Sequence, residues 1–450
     1  MNFAQFQKPQ RYIGNEWNVI KKSHPDKIKI CIAFPDLYEI GMSNLGIRII
    51  YGLLNEYPDV VCERAFMPGL DLAEYLKSEE KKLFTLESKS PLDEFEVLGF
   101  NLGFELNYTN FLSMLELSKI PLFADKRENV IVLGGGIANP EPLAQFTDVF
   151  FMGEFEEISD KFINVLRKFK DKNARLNALS ELEGFYVPSF YDVSLNDDAY
   201  VFNKNKSNAN FPIKRVYVKD LDKSFYPLNW LTPHTQITQD RVPIEIARGC
   251  PNRCTFCQAR SFYFPYRQKK TSTIKHMVKK IYDNTGYENF SFLSLSASDH
   301  SSIKDIISDS YEYCDARRIG LALPSLRVDD ILGELNEQLA RLKKTSITVA
   351  VEAATNRLRE TLNKKIDISK LFEAAKLIRS LNIKHIKLYF MFGFPDESAE
   401  DLHAIGQFLN ILRKNSKLSL NVSINVFIPK PYSLWEGVKM EEESILESKK

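Results

Sequence analysis

Between Lys27 and Glu154, short apolar runs alternate with amphipathic stretches, and this alternation constrains the fold of the 450-residue chain more than any other feature. The runs IKICIAF (28–34), VVCERAF (60–66), EVLGFNLGF (96–104), NVIVLGGG (129–136) and DVFFMGE (148–154) have strand length and are largely apolar throughout. The intervening stretches, clearest in NLGIRIIYGLLNEY and EEISDKFINVLRKFKD, repeat apolar residues three and four apart, the helical period. Apolar strands separated by amphipathic helices imply a parallel sheet covered on both faces. Such sheets take ligands at the carboxyl ends of their strands.

A second alternation begins near Arg241. The runs VPIEIA (242–247), FSFLSL (290–295), IGLALPS (319–325), SITVAVE (346–352), HIKLYFMFG (385–393) and LNVSINVFI (420–428) are joined by helical segments such as TIKHMVKKIYDN and SKLFEAAKLIRSLN. Six strand–helix units in under about 200 residues predict a partial (β/α)6 barrel of the TIM type, with its site at the carboxyl ends of the strands. Residues 176–240 break the pattern with Asn, Lys and Pro and read as connecting structure with short strands. The expected organisation is an α/β chain: a leader (1–26), a Rossmann-like domain (27–175), a connecting region (176–240), the barrel (241–432) and a short tail (433–450).

Lys plus Arg number 60 against 59 Asp plus Glu, so no global field selects a nucleic-acid or membrane partner. The first residues, MNFAQFQKPQRYIGNEWN, lack the apolar core of a signal peptide, and no window approaches about 18 uninterrupted apolar residues. The expected location is the cytoplasm. There, disulfides are disfavoured and clustered cysteines mean metal or catalysis. Cys31, Cys62 and Cys314 are isolated in apolar or helical patterns and read as small buried hydrophobes.

Cys250, Cys254 and Cys257 are different: IEIARGCPNRCTFCQAR sets them at C-x3-C-x2-C, directly after the first barrel strand. Thiolates are the protein ligands of iron–sulfur clusters. Three of them in one loop can hold three corners of a cubane and leave the fourth iron open. A structural zinc site needs four ligands, and His234 and His276 stand too far along the chain to supply one. A ferredoxin-type carrier follows a different spacing and has a fourth cysteine.

This motif, with aromatic Phe256 before the third cysteine, resembles the signature of the radical S-adenosylmethionine (SAM) superfamily. The resemblance implies a [4Fe-4S] cluster on Cys250, Cys254 and Cys257, with SAM chelated at the open iron and cleaved to a 5′-deoxyadenosyl radical. Later strand ends extend it. Ser296, Ala297 and Ser298 resemble the segment that binds the SAM amino group, and Ser325 and Arg327 the residues that face its carboxylate. An Arg suits that task because its fork pairs bidentately with a carboxylate. Glu352 matches the acidic residue on the ribose hydroxyls, and Gly393 the turn beside the adenine.

The first domain resembles cobalamin-binding domains. FPDLYEIGMSN parallels D-x-H-x-x-G with Asp36 and Gly41 in place, but Tyr38 stands where the cobalt-ligating histidine would be, which removes that ligation. Gly134 and Gly135 resemble the glycine pair of such domains, and GEFEE (153–157) their GEGE-like segment. Together with KPQRYIGNEWN, VEAATNRLRETLNK and VFIPKP, these segments are similar to a B12-binding-like radical SAM family of unassigned substrate. Its members continue past the barrel, whereas this chain stops soon after PYSLWEG.

The resemblance implies an enzyme that modifies, for example methylates, an unidentified substrate such as RNA or protein. It implies a one-electron reductant such as flavodoxin or ferredoxin, and for the first domain it leaves two outcomes: cobalamin bound without a protein ligand, or a relic domain that serves in substrate recognition or packing. A methylthiolating enzyme would need further clustered cysteines, which the chain lacks. Two other classes stay open: a non-catalytic iron–sulfur redox sensor or electron carrier, and a cobalamin-binding module whose barrel is structural.

Overall fold

The computed structural model describes residues 1–196, 199–204, 208–322, 332 and 346–450. The chain divides into two compact units, Met1–Asp240 and Arg241–Lys450.

In the first unit β1 (Ile28–Phe34), β2 (Val60–Phe66), β3 (Val97–Asn101), β4 (Ile131–Gly135) and β5 (Val149–Phe151) form a parallel sheet in the order β2-β1-β3-β4-β5. The short β6 (Phe185–Tyr186) closes it antiparallel to β5. Strand order reverses between β1 and β3, the place where doubly wound sheets open a crevice for ligands. Every residue of β2 is buried, Glu63 and Arg64 included. Such burial is tolerable only with partners. Arg64 has them: its guanidinium donates to Glu16 Oε2 at 2.9 Å and to Glu87 Oε1 at 2.7 Å.

The leader and the connecting region share this body. Phe6 and Tyr12 are buried in the same core as the strands, and Trp17 forms a β-bridge with Thr232. Helix Lys172–Ser180 runs across the expected boundary at 175. Beyond β6, a hairpin of β7 (Tyr191–Asn196) and β8 (Ala199–Lys204) comes next, and Val216 bridges back to Gly153. The apolar side chains scattered through this stretch, such as Phe185, Phe190 and Trp230, are buried, which is why a segment of loop-like composition still packs as part of the domain.

In the second unit β9 (Val242–Glu245) is followed by β10 (Ala247–Arg248), which pairs antiparallel with β11 (Arg267–Gln268). Next come β12 (Asn289–Leu293), β13 (Gly320–Ala322), β14 (Ser346–Glu352), β15 (His385–Phe392) and β16 (Ser419–Val426). Two parallel triples result, β9-β12-β13 and β14-β15-β16, each in chain order as in a (β/α) barrel. Helix starts obey local chemistry. Asp367 caps Ile368–Ser380, and a Ser398/Asp401 capping box opens Ala399–Ser416. No helix among the described residues is long and apolar enough to cross a membrane.

Candidate active site

The cysteine loop begins at Gly249, whose φ is +87°, a left-handed conformation natural to glycine. A Cβ there would stand 2.6 Å from Tyr263 O and 2.8 Å from Pro265 O, so the loop and the 263–266 backbone pass in direct contact. Just before it, Arg248 Nε and Nη2 reach Glu245 Oε1 and Oε2 at 2.9 and 3.0 Å, a bidentate pair at the strand end. Cys257 caps helix Gln258–Phe262, its sulfur accepting the Arg260 N–H at 3.4 Å.

The loop is clamped to the segment after β14. The Thr255 N–H donates to Leu362 O at 3.1 Å, and Asn363 Nδ2 to Arg253 O at 2.8 Å. Phe256 packs on an apolar cluster of Ala353, Phe394 and Phe427, just past the ends of β14, β15 and β16, with Leu358 and Leu362 from the helix that follows β14. The aromatic of the motif thus ties the loop to three strand ends.

The three thiols are half-buried. Burial pushes the Cys254 and Cys257 thiols up, and the Lys364 ammonium is the main influence pulling Cys254 back. Cys250 and Cys257 also raise Cys254 by charge repulsion, so the three sulfurs are electrostatic neighbours. Among the described residues no group of three His, Cys, Asp or Glu side chains stands in metal-binding geometry. The surroundings suit such a cluster: soft thiol donors in one loop, and N–H groups of Arg260 and Asn252 directed at two of the sulfurs.

Ser296 and Ala297 lie past the end of β12 and are buried; Ser298 completes the short turn with Asp299. Ser296 Oγ donates to Asp299 Oδ2 at 2.6 Å, and the same oxygen accepts Asn252 Nδ2 at 2.9 Å, joining this turn to the cysteine loop. Glu352 ends β14 with φ +70°, costly for a residue with a Cβ and therefore held by its surroundings. Its carboxyl is buried and pushed up by that burial, with Lys364 Nζ at 3.5 Å opposing the shift. Buried, perturbed acids of this kind cluster at functional sites.

Gly393 ends β15 at φ +84° and donates its N–H to Glu397 Oε2 at 2.8 Å. A Cβ there would meet Leu446 Cδ2 at 2.7 Å, so the tail helix Glu443–Lys449 covers this turn. Ser325 and Arg327 lie outside the described residues.

Sequence reasoning did not single out Asn252, Asp299, Tyr266 or Lys364. Asn252 sits inside the motif, but its partner Asp299 lies 47 residues on, and only the fold brings them together. Tyr266 comes shortly after the cysteines; burial, with Asp299 and Cys250 adding to it, pushes its phenol up to about 12. His300, beside the same turn, is structural. Its Nε2 pairs with Lys269 O at 3.0 Å, Nδ1 accepts the Ser302 N–H at 3.1 Å, and burial lowers its pKa.

In the first unit, Tyr38 is a buried residue tied to the leader. It is 2% exposed and donates its hydroxyl to Glu16 Oε1 at 3.0 Å. Gly41 is held small by the Phe66 ring, which a Cβ would meet at 2.3 Å, and Gly134 by the Phe150 ring at 2.6 Å. Gly135 is open, with Phe151 O at an ordinary 3.7 Å. Asp36, past β1, accepts the Leu37 N–H at 2.7 Å. In the GEFEE segment, Glu154 is buried against Arg215 and the Val218 N–H, a clamp on the crossing chain. Held against Glu16 inside the core, position 38 supplies no metal-ligating side chain.

Two family models match the chain: "Radical SAM proteins, N-terminal" over residues 46–188 and "Radical SAM superfamily" over 244–409, together more than half of it. An uncharacterized protein of Methanocaldococcus jannaschii is 28% identical over 428 residues, 94% of this chain and 81% of that one. The ribosomal protein uS12 methylthiotransferase RimO of Desulfotalea psychrophila is 24% identical over 262 residues, 54% of this chain and 56% of the relative.

Among solved structures, the radical SAM methyltransferase TsrM from Kitasatospora setae, bound to cobalamin and a [4Fe-4S] cluster, superposes with a TM-score of 0.59 at 13% identity. That match covers 92% of this chain and 79% of that one. The cobalamin-dependent radical SAM enzyme OxsB matches at 0.53 and 14% identity, covering 88% of this chain and 53% of that one. At such identity these structures report the fold, a Rossmann-like sheet domain followed by a radical SAM barrel. The chain belongs to the radical SAM superfamily.

Proposed function

We propose that the chain holds a [4Fe-4S] cluster on Cys250, Cys254 and Cys257 and uses it to cleave SAM reductively, generating a radical for modification, methylation included, of a substrate still to be identified. The observation that carries this reading is the cysteine loop itself, clamped through Thr255, Phe256 and Asn363 to the strand ends where Glu352 and Gly393 stand. When bound, the cluster supplies one electron to SAM, which parts into methionine and a 5′-deoxyadenosyl radical able to abstract a hydrogen atom.

The chain's own residues do the positioning. In this reading Ser296, Ala297 and Ser298 receive the amino group, Ser325 and Arg327 the carboxylate and Glu352 the ribose. The Gly393 turn stands beside the adenine. Glu352 suits the ribose because burial favours its hydrogen-bonding role, and Lys364 at 3.5 Å keeps it from being an isolated buried charge.

The reading includes a one-electron reductant, a cytoplasmic setting and, by analogy with TsrM and OxsB, a corrinoid at the first unit's carboxyl edge, with no axial ligand from Tyr38. The test is anaerobic reconstitution with iron and sulfide, then reduction with SAM. Formation of 5′-deoxyadenosine, abolished in Cys254→Ala, is expected. A reconstituted cluster that never cleaves SAM points instead to a redox sensor. For the corrinoid, incubation with hydroxocobalamin and then desalting decides: retained colour supports it, and none removes it.

A further inference from the structure

One side chain joins two parts of the site. Asn252 Nδ2 lies 3.5 Å from Cys250 Sγ and 2.9 Å from Asp299 Oδ2, and Ser296 Oγ donates to that same carboxylate oxygen at 2.6 Å. A primary amide has two N–H groups, so one can serve the sulfur while the other is held by the carboxylate. The carboxylate anchor is charge-assisted and fixes the amide plane. Asp299 is itself placed by its turn, its N–H donating to Ser296 O at 3.3 Å, and Gln268 Nε2 reaches the Asp299 carbonyl at 3.4 Å. Nothing about packing requires a polar side chain at 252, which is half-exposed; its two polar partners do.

We propose that Asn252 is a positioning residue. Anchored by Asp299, it donates an N–H to the Cys250 sulfur, raises the reduction potential of the cluster, and couples that potential to occupancy of the Ser296 turn. Hydrogen bonds to cluster sulfurs are one of the protein's levers on potential, because they stabilise the more negative, reduced state. The coupling runs through a shared acceptor: a ligand that draws Ser296 Oγ away removes a donor that shares Asp299 Oδ2 with the amide, which strengthens the carboxylate's hold on Asn252. This rests on the cluster assignment above.

The test is an EPR-monitored redox titration of the reconstituted full chain, with and without SAM. In Asn252→Leu, the ratio of reduced to oxidised cluster at a fixed applied potential is expected to fall about tenfold, a midpoint roughly 59 mV more negative for one electron. An exchangeable deuteron coupled to the cluster in deuterium oxide is expected to vanish in the same variant. Asp299→Ala leaves the amide in place but unanchored. It is expected to lower the midpoint less and to abolish its response to SAM, and it carries the test if Asn252→Leu takes up no iron. A wild-type chain that forms no cluster overturns the cluster assignment and this inference together. A wild-type cluster whose midpoint and deuteron coupling are unchanged in the variants overturns this inference alone.

Discussion

Replacing Gly249 by alanine is expected to empty the cluster loop while leaving the rest of the chain folded. At φ +87° a residue with a Cβ costs about 1–2 kcal/mol more than glycine. The added methyl would also stand 2.6 and 2.8 Å from two backbone carbonyl oxygens, those of Tyr263 and Pro265. They are not free to retreat: Arg267 Nη2 holds the first at 3.2 Å and Arg267 Nε the second at 2.8 Å. Moving both weakens two hydrogen bonds to a charged donor, each worth about 1.5 kcal/mol at the lower end. The local cost comes to about 4 kcal/mol, close to a thousandfold in the population of the competent loop. Iron per chain after anaerobic reconstitution reads this directly, and far-UV circular dichroism checks that the fold persists. Full cluster content in Gly249→Ala would refute the claim that the close pass against residues 263–266 shapes the loop.

The Arg64 network is expected to respond asymmetrically. Glu16→Gln breaks a buried pair and costs about 3–5 kcal/mol, whereas Glu87, whose carboxyl burial pushes up, tolerates Gln better; thermal melts of the two variants compare them. Burial alone would raise Glu16, but Arg64 overrides it and holds the carboxyl at about 2 against 4.5. A depressed acid stabilises above its unfolded pKa, so this contribution, on the order of 3 kcal/mol, is present above about pH 4.5 and lost as pH falls toward 2. An acid titration of ellipticity tracks the loss, which Glu16→Gln should not show. Tyr38→His is expected to give no histidine-dependent nitrogen splitting in the EPR spectrum of added cob(II)alamin, since position 38 faces Glu16 inside the core; such splitting would contradict that placement. Glu352→Gln removes the partner of Lys364 and is expected to weaken SAM binding roughly tenfold, measured by calorimetry on the reconstituted chain.

Much of this architecture was legible because it is written in local pattern. The apolar runs at 28–34 and 60–66 became β1 and β2 residue for residue, since a largely apolar run of strand length marks a strand buried on both faces, even where β2 carries Glu63 and Arg64. The cysteine motif was equally plain, its spacing lying within one loop. Segment 176–240 was harder: its buried residues, Phe185 and Trp230 among them, are spaced without a period, and only tertiary packing reveals them. Tyr38 shows the limit of motif reading. Its position relative to Asp36 and Gly41 matched a ligand-binding pattern, but Glu16, in the leader, turns it into a core residue. The Asn252–Asp299 pair was invisible for a related reason, since it depends on β9 and β12 lying side by side.

The most direct measurement is the fate of SAM on the reconstituted, reduced chain. A cluster signal lost on substituting Cys250, Cys254 or Cys257 is expected, with 5′-deoxyadenosine formed only when all three are present. A chain that binds its cluster through other residues, or that holds it on these three and leaves SAM intact under every reductant, would contradict it.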